Sequence, residues 1–168
     1  LVKNNSVKAI FEDLGYTTID FQTGFDFSML NNVDISYTPK PKGFNEFESL
    51  YLRTTLAVLL DDAGMFSNYH YTPEDRKREL ILFNLDKLQQ VASVPGPKFV
   101  FAHLVIPHQP FVFGPNGERV IIPEAIKNGR TYYPIKSYKL GYANQTAFIS
   151  DQITKVLGQI IRDSSVPP

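Results

Sequence analysis

The sequence predicts an α/β fold in which helices cover a mostly parallel sheet, and three features of the chain support it. The chain opens with a helix, a glycine turn and a strand over residues 6–21. Residues 98–106 form a nearly continuous apolar run, which is typical of a strand buried on both faces of a parallel sheet. An amphipathic pattern at 138–162 predicts a further helix. Together these elements indicate part of a three-layer α/β/α sandwich.

Length and composition restrict the class of protein. A chain of 168 residues can bury the core of one domain. Its 17 basic and 17 acidic residues balance, so neither nucleic acid nor an anionic membrane surface is favoured as a partner. The lack of cysteine excludes disulfides, thiolate metal sites and a cysteine nucleophile within these residues. The longest apolar runs are about half as long as a membrane span requires, so membrane contact is expected only through other regions.

The first half of the chain predicts a helix, a strand, a long loop and a second helix. Apolar residues recur at helical spacing between Ser6, the predicted N-cap, and Gly15, which ends the helix. The β-branched and aromatic residues at 16–21 predict a strand. Residues 22–45 are rich in glycine, asparagine and proline without a clear period, which predicts a loop. Mostly apolar residues at 47–59 predict a largely buried helix.

The second half begins with the clearest helix start in the chain. Thr72 can cap the helix and Pro73 suits its first position, so a helix is predicted from there to about residue 91. A turn at 94–97 separates this helix from the strand at 98–106. Residues 108–137 contain four prolines and three glycines, which predicts a second long loop before the last helix.

The buried strand runs into a recognisable motif. Residues 98–111 read KFVFAHLVIPHQPF, an apolar strand followed by a Pro-His-x-Pro-aromatic turn. This stretch resembles the sulfatase-like branch of the alkaline phosphatase superfamily, above all its membrane-anchored phosphoglycerol and phosphoethanolamine transferase-type domains. Residues 7–21, VKAIFEDLGYTTIDF, resemble the family's helix, Gly-Tyr and strand. Residues 138–161 resemble its helix carrying a tyrosine and an aspartate, here Tyr142 and Asp151.

The resemblance implies an activity and a location. Members of this superfamily use a Thr, Ser or formylglycine nucleophile with one or two divalent ions, such as Zn, Mn, Mg or Ca, to attack phosphate or sulfate esters. The family's nucleophile lies N-terminal, and its Asp-His metal pair C-terminal, to the region matched here. We therefore expect residues 1–168 to be the central part of one catalytic domain, inactive and without a metal site when alone. The resemblance also implies a membrane anchor and an extracytoplasmic catalytic domain.

Four residues are candidate substrate-binding residues. His108 follows a buried strand, where open α/β sheets place ligands, and by resemblance it binds the phosphate or sulfate group or a second metal ion. Gln22 and Thr23 follow the first strand and match a loop that presents side chains to the substrate in phosphoglycerol-transferring relatives. Arg130 is expected to reach over the site from the second long loop. The alternative for His108 is a surface histidine without a role. The alternative for Gln22 and Thr23 is ordinary turn chemistry, and for Arg130 it is a solvated loop.

Other residues separate this chain from those relatives or are expected to be structural. The relatives continue the first loop with His, Trp and Arg, whereas residues 25–27 are Phe-Asp-Phe here, which leaves the substrate open. His103 lies within the predicted strand and is expected to be a core histidine. His70 lies in an aromatic loop and is not expected to contact a ligand. Asp151 is expected on the helix surface or in an interhelix hydrogen bond rather than at a metal ion.

Two other classes of function stay open. A non-catalytic module could use the same surface to bind a glycan or a lipid headgroup. A structural α/β domain could support oligomerisation, since 13 phenylalanines and 9 tyrosines could supply an apolar contact surface. The neighbouring coding sequence discriminates between them, because only the enzyme requires the nucleophile and the Asp-His pair.

Overall fold

The computed structural model describes residues 2–3, 5–40, 42–44, 46–66, 72–127, 130–166 and 168. A parallel sheet of three strands, in the order β2-β1-β3, forms its centre. The strands are β1 Thr17–Phe21, β2 Ile35–Tyr37 and β3 Lys98–Phe101. The central strand pairs Ile19 with Ile35 on one side and with Val100 on the other. The predicted α/β class with a parallel sheet is confirmed at this level.

Five α-helices, a hairpin and two short 3-10 helices, Asp26–Ser28 and Val91–Ser93, complete the described part of the chain. The helices are α1 Ser6–Asp13, α2 Glu46–Thr54, α3 Ala57–Asp62, α4 Pro73–Gln89 and α5 Ile135–Asp163. The antiparallel hairpin joins β4 Ala125–Lys127 to β5 Arg130–Tyr132. Among the described residues, none of the helices combines the length and the hydropathy needed to span a bilayer.

The helix starts follow from local capping chemistry. Thr72 accepts a hydrogen bond from the Asp75 backbone N–H at 3.1 Å, and the Asp75 carboxylate accepts one from the Thr72 N–H at 3.2 Å. This capping box confirms the predicted start of α4. For α1 the predicted cap was wrong by one residue. Asn5, not Ser6, is the N-cap, because its side chain accepts from the Lys8 N–H at 2.7 Å.

Helices pack on both faces of the sheet. Phe11 of α1 stacks on Phe99 of β3 with ring centroids 4.9 Å apart. Ile19 and Phe21 point to the opposite face, because side chains alternate along a strand, and there they pack against α4 and α5. The main core lies on that second face. Its buried members are Ile19, Phe21, Ile81, Leu85, Leu88, Val91, Val112, Phe113, Phe148 and Val156.

Several predicted elements differ from the structure. The loop predicted at 22–45 contains β2, a strand of only three residues whose pairing with β1 is not visible in local sequence. The loop predicted at 108–137 contains the β4–β5 hairpin. β3 ends at Phe101 rather than at residue 106, because the chain leaves the sheet there.

The predicted buried helix at 47–59 is wrong in two respects. The segment forms two helices, α2 and α3, and their apolar side chains are largely exposed, with Phe47 at 75 % and Leu56 at 83 % of full exposure. Within the described residues these helices pack mainly on each other, so no larger element covers them. Apolar content alone therefore overestimated the burial of this segment.

Candidate functional site

The candidate site lies at the carboxyl edge of the sheet, where the chain leaves β1 and β3 toward opposite faces. After β1 the loop turns toward the face of α1, and the Leu30 N–H donates to the Asp20 carboxylate there. After β3 the chain turns toward the other face, where Val112 and Phe113 join the core with α4 and α5. In open α/β sheets, ligands bind in the crevice where neighbouring connections diverge in this way.

An open cleft of about 920 Å³ occupies this edge. It is lined by residues 22–25 after β1, by residues 38–40 and 42–44 after β2, and by the first half of α4. Val105, Gln109 and Pro110 close it from the chain that follows β3. The volume is in the range of small-molecule binding sites, which are concave and mostly apolar with a few placed polar groups.

Two polar side chains from different helices hold the Pro-His-x-Pro turn beside the cleft. Gln145 of α5 is fully buried, and its Nε2 donates to the backbone O of Pro107 at 3.0 Å and of His108 at 3.2 Å. Its Oε1 accepts from the Val112 N–H at 2.9 Å. Lys77 of α4 donates from Nζ to the backbone O of His108 and of Pro110, the latter at 3.0 Å. These contacts fix the turn between α4 and α5.

The end of the turn is held by a close approach of Phe111 to α5. A Cβ added at Gly141 would lie 2.3 Å from Cγ of Phe111, so only glycine leaves room for the ring. Phe111 also packs edge-on against Tyr138 and contacts Tyr133 at 4.9 Å between ring centroids. Burial, together with a hydrogen bond to Glu124, raises the pKa of Tyr133 to about 12, so this phenol stays protonated.

Lys77 is a partly desolvated cation of the cleft. Its side chain is half-buried, and burial lowers its pKa to about 8. Its hydrogen bonds go to backbone carbonyls, and within the described part of the chain no carboxylate forms an ion pair with it. A desolvated lysine in a cleft is a candidate functional residue, because the environment penalises its charge unless an anion compensates it.

The cleft as a whole is rich in cations. Lys40, Lys42 and Arg76 line it together with Lys77, against the two carboxylates of Glu48 and Glu79. Lys42 forms an ion pair with Glu79. Since the chain contains equal numbers of acidic and basic residues, this local excess of positive charge is a property of the cleft. It favours an anionic ligand.

His108, the first predicted site residue, lies beside the cleft with an exposed side chain. Its Nδ1 lies 2.7 Å from the backbone O of Gln109, and its own backbone O accepts from Lys77 and Gln145. His108 itself is not among the residues that line the cleft, and its neighbours Gln109 and Pro110 are. The structure therefore fixes the backbone of His108 and leaves the ring accessible at the rim.

Gln22 and Thr23 both line the cleft, as expected from their place after β1. Gln22 is held through its backbone, which donates to Tyr37 O at 2.9 Å and accepts from Asn84 Nδ2 at 2.7 Å. The hydroxyl of Thr23 is used inside its own loop, 2.7 Å from Ser28 Oγ. Gln22 thus has the freer side chain for a ligand.

Arg130 is not among the residues that line the cleft. It begins β5, where it pairs with Lys127, and its side chain is exposed. The expectation that Arg130 reaches over the site assumed a long irregular loop. The hairpin replaces that loop and fixes the arginine on a regular strand.

The sequence also makes predictions for His103, His70 and Asp151. The prediction of a core position for His103 is wrong, because β3 ends at Phe101 and the imidazole is exposed. His70 lies outside the described residues. Asp151 lies on the surface of α5 and pairs with Lys155 at 2.6 Å, as predicted.

Sequence reasoning missed Lys77 and Gln145. Lys77 lies in a run of charged residues at 74–79 and looks like part of a solvated helix face. Gln145 had a usable signal, because it lies four residues after Gly141 and three before Phe148, on the face of α5 that packs inward. A lone amide on an apolar helix face indicates a buried hydrogen-bonding role.

The described residues do not fit a divalent metal by themselves. No group of three or more His, Asp or Glu side chains among them is arranged to hold an ion. The only described histidines, His103 and His108, are both exposed.

Comparisons of the chain with protein-family models, with curated proteins and with solved structures found no match. The chemistry of the cleft and the motif beside it are therefore the features that indicate a function. The cleft is cationic, it lies at the carboxyl edge of a parallel sheet, and Lys77 links it to the Pro-His-x-Pro turn.

Proposed function

We propose that residues 1–168 form the substrate-facing wall of a metal-dependent enzyme that hydrolyses phosphate or sulfate esters or transfers a phospho-headgroup. The observation that carries this proposal is the cationic cleft at the carboxyl edge of the sheet, bordered by the turn that contains His108. Phosphate and sulfate esters are anionic, and a cleft of this charge and volume suits them.

The proposal also uses the resemblance of residues 98–111 to the sulfatase-like branch of the alkaline phosphatase superfamily. In this proposal the parallel sheet, with α1 on one face and α4 and α5 on the other, is part of a three-layer α/β/α sandwich. The nucleophile and the metal ligands come from other segments of the enzyme. A membrane anchor and an extracytoplasmic location belong to the same proposal.

In this arrangement the chain binds and orients the substrate. In this proposal the exposed ring of His108 binds the ester group from the turn beside the cleft, while the cations on α4 and after β2 that line the cleft neutralise its charge. The backbone of the turn stays in place because Gln145 and Lys77 satisfy its carbonyls. Fixed donors need little reorganisation when charge develops on the ester oxygens.

The test is turnover of nitrophenyl phosphate and nitrophenyl sulfate with added divalent ions. It compares this chain with a longer polypeptide that includes the neighbouring coding sequence on both sides. We expect the longer form to be active, this chain alone to be silent, and His108→Ala in the longer form to lower kcat/KM by about a hundredfold.

The matched control is His103→Ala, because His103 is also exposed but lies outside the Pro-His-x-Pro turn that borders the cleft. It should leave kcat/KM within about twofold. If the longer form neither turns over these esters nor binds divalent ions, the proposed enzymatic function is rejected. If it still bound anionic glycans or lipid headgroups, the binding-module alternative would replace it.

A further inference from the structure

We propose that Lys77 and Arg76 form an oxyanion subsite in the cleft, and that its ligand joins a phosphate or sulfate group to an apolar organic part. This inference rests on the proposed function for the ester chemistry and assigns the residues that bind each half of the ligand. Neither residue belongs to the Pro-His-x-Pro motif.

The donor count of Lys77 leaves room for a ligand. An ammonium group has three N–H donors. Two of them go to the backbone O of His108 and of Pro110, and Lys77 lines the cleft. The third donor and the positive charge are therefore available to an oxyanion in the cleft.

The partly buried charge of Lys77 would be stabilised by a nearby anion. Burial disfavours its ammonium form, and no carboxylate in the described residues offsets that cost. An oxyanion beside Nζ would restore the lost electrostatic stabilisation in surroundings that screen charge less than bulk water does.

Arg76 precedes Lys77 on α4 and lines the same cleft with an exposed guanidinium. Within the described residues its guanidinium makes one hydrogen bond, a long one of 3.4 Å from Nη2 to the backbone O of Phe44. A guanidinium carries five donors in a planar fork that fits two oxygens of a phosphate or sulfate. Lys42 is a weaker candidate, because it already pairs with Glu79.

The apolar half of the ligand follows from the rest of the lining. Phe25, Phe44 and Leu80 line the cleft with the two cations. A volume of about 920 Å³ is much larger than an inorganic oxyanion needs and suits a ligand with an organic part. Burying apolar surface of such a ligand would add affinity that inorganic phosphate lacks.

The test is isothermal calorimetry of this chain with hexyl phosphate, hexyl sulfate and inorganic phosphate. We expect the affinity for hexyl phosphate to be at least about tenfold higher than the affinity for inorganic phosphate, because the hexyl chain is buried. Lys77→Met and Arg76→Met should each lower the affinity for hexyl phosphate by about tenfold, since each substitution removes charged hydrogen-bond donors.

Lys139→Met is the matched control, because Lys139 is an exposed lysine of α5 outside the cleft lining. It should leave all three affinities unchanged. Lys77 also supports the turn, so Lys77→Met could fold poorly. Arg76 is exposed, and the one hydrogen bond of its guanidinium to the described residues is the long contact above, so Arg76→Met tests the subsite independently.

Unchanged hexyl phosphate affinity in folded Arg76→Met and Lys77→Met would overturn the subsite. Equal binding of hexyl phosphate and inorganic phosphate would overturn the apolar half. The proposed function fails separately: a longer polypeptide without turnover would reject the enzyme even if Lys77-dependent binding persisted. His108-dependent turnover without Lys77-dependent binding would reject the subsite alone.

Discussion

At the scale of residues, buried polar groups fall into two kinds in this chain. Gln145 is buried with both ends of its amide bonded to the turn after β3. Asp20 is 1 % exposed, and one of its carboxylate oxygens accepts from the Leu30 N–H, whereas the other has no hydrogen-bond partner among the described residues. A satisfied buried group stabilises a unique arrangement, whereas an unsatisfied one costs free energy.

Asp20 should make stability depend on pH. Burial raises its pKa in the folded state, against the lowering effect of N–H donors from Leu30 and Phe21. The folded state therefore holds this proton more tightly than the unfolded state does. This contribution to stability is present below the unfolded pKa and is lost as the pH rises through the folded pKa. In Asp20→Asn it should be absent.

Urea denaturation of both proteins between about pH 3 and 7 measures this effect. The free energy of unfolding of the wild type, minus that of Asp20→Asn, should fall as the pH rises from about 4. Asp151→Asn is the control, because Asp151 is exposed on α5. A difference that stayed flat or rose with pH would rule out this role for Asp20.

At the scale of elements, α5 has two glycines in different surroundings. Gly141 is buried, and a Cβ there would lie 2.3 Å from Phe111 Cγ. At Gly158 the nearest atom to a Cβ would be Nη1 of the flexible Arg162 side chain, at 3.4 Å. The first glycine is required by packing, and the second is not.

Alanine at these two positions should therefore have opposite effects. Gly158→Ala should raise the free energy of unfolding by up to about 1 kcal/mol, because alanine favours helix over glycine. Gly141→Ala should lower it by about 1 to 2 kcal/mol, since overpacking against Phe111 exceeds the same propensity gain. Chemical denaturation of both variants tests the pair. A stabilised Gly141→Ala would contradict the close approach of Phe111.

At the scale of the whole molecule, stability should be unevenly distributed. The core joins β1, α4, α5 and the segment at 112–113, while the apolar side chains of α2 and α3 stay largely exposed. Elements with few buried contacts open locally at low free energy. The chain should therefore contain one stable unit and one weakly held pair of helices.

Amide hydrogen exchange followed by mass spectrometry tests this expectation. Peptides from α4, from the middle of α5 and from β1 should exchange slowly, close to the rate of global unfolding. Peptides from α2 and α3 should exchange faster by about a hundredfold or more. Equal protection of all these helices would show that α2 and α3 are covered in solution.

The sequence by itself determined the features that depend on neighbouring residues. The start of α4 follows from Thr72, Pro73 and Asp75 within four positions of one another, and β1 follows from a run of β-branched and aromatic residues. Such signals are local, so they can be read without knowing the fold. The Pro-His-x-Pro turn was visible in the same way, but the strand before it is half-buried and ends at Phe101, six residues before Pro107.

Only the tertiary structure determined where the cleft lies and which cations line it. Lys77 lies 33 positions before Pro110, and Gln145 lies 38 after Pro107, yet both hold the same turn. The strand β2 has only three residues and forms because it pairs with β1. The apolar side chains of α2 are exposed because no larger element in the described residues covers them. The burial and desolvation of a side chain depend on residues that are distant in sequence. A charged run such as 74–79 therefore does not reveal which of its lysines is desolvated in the fold.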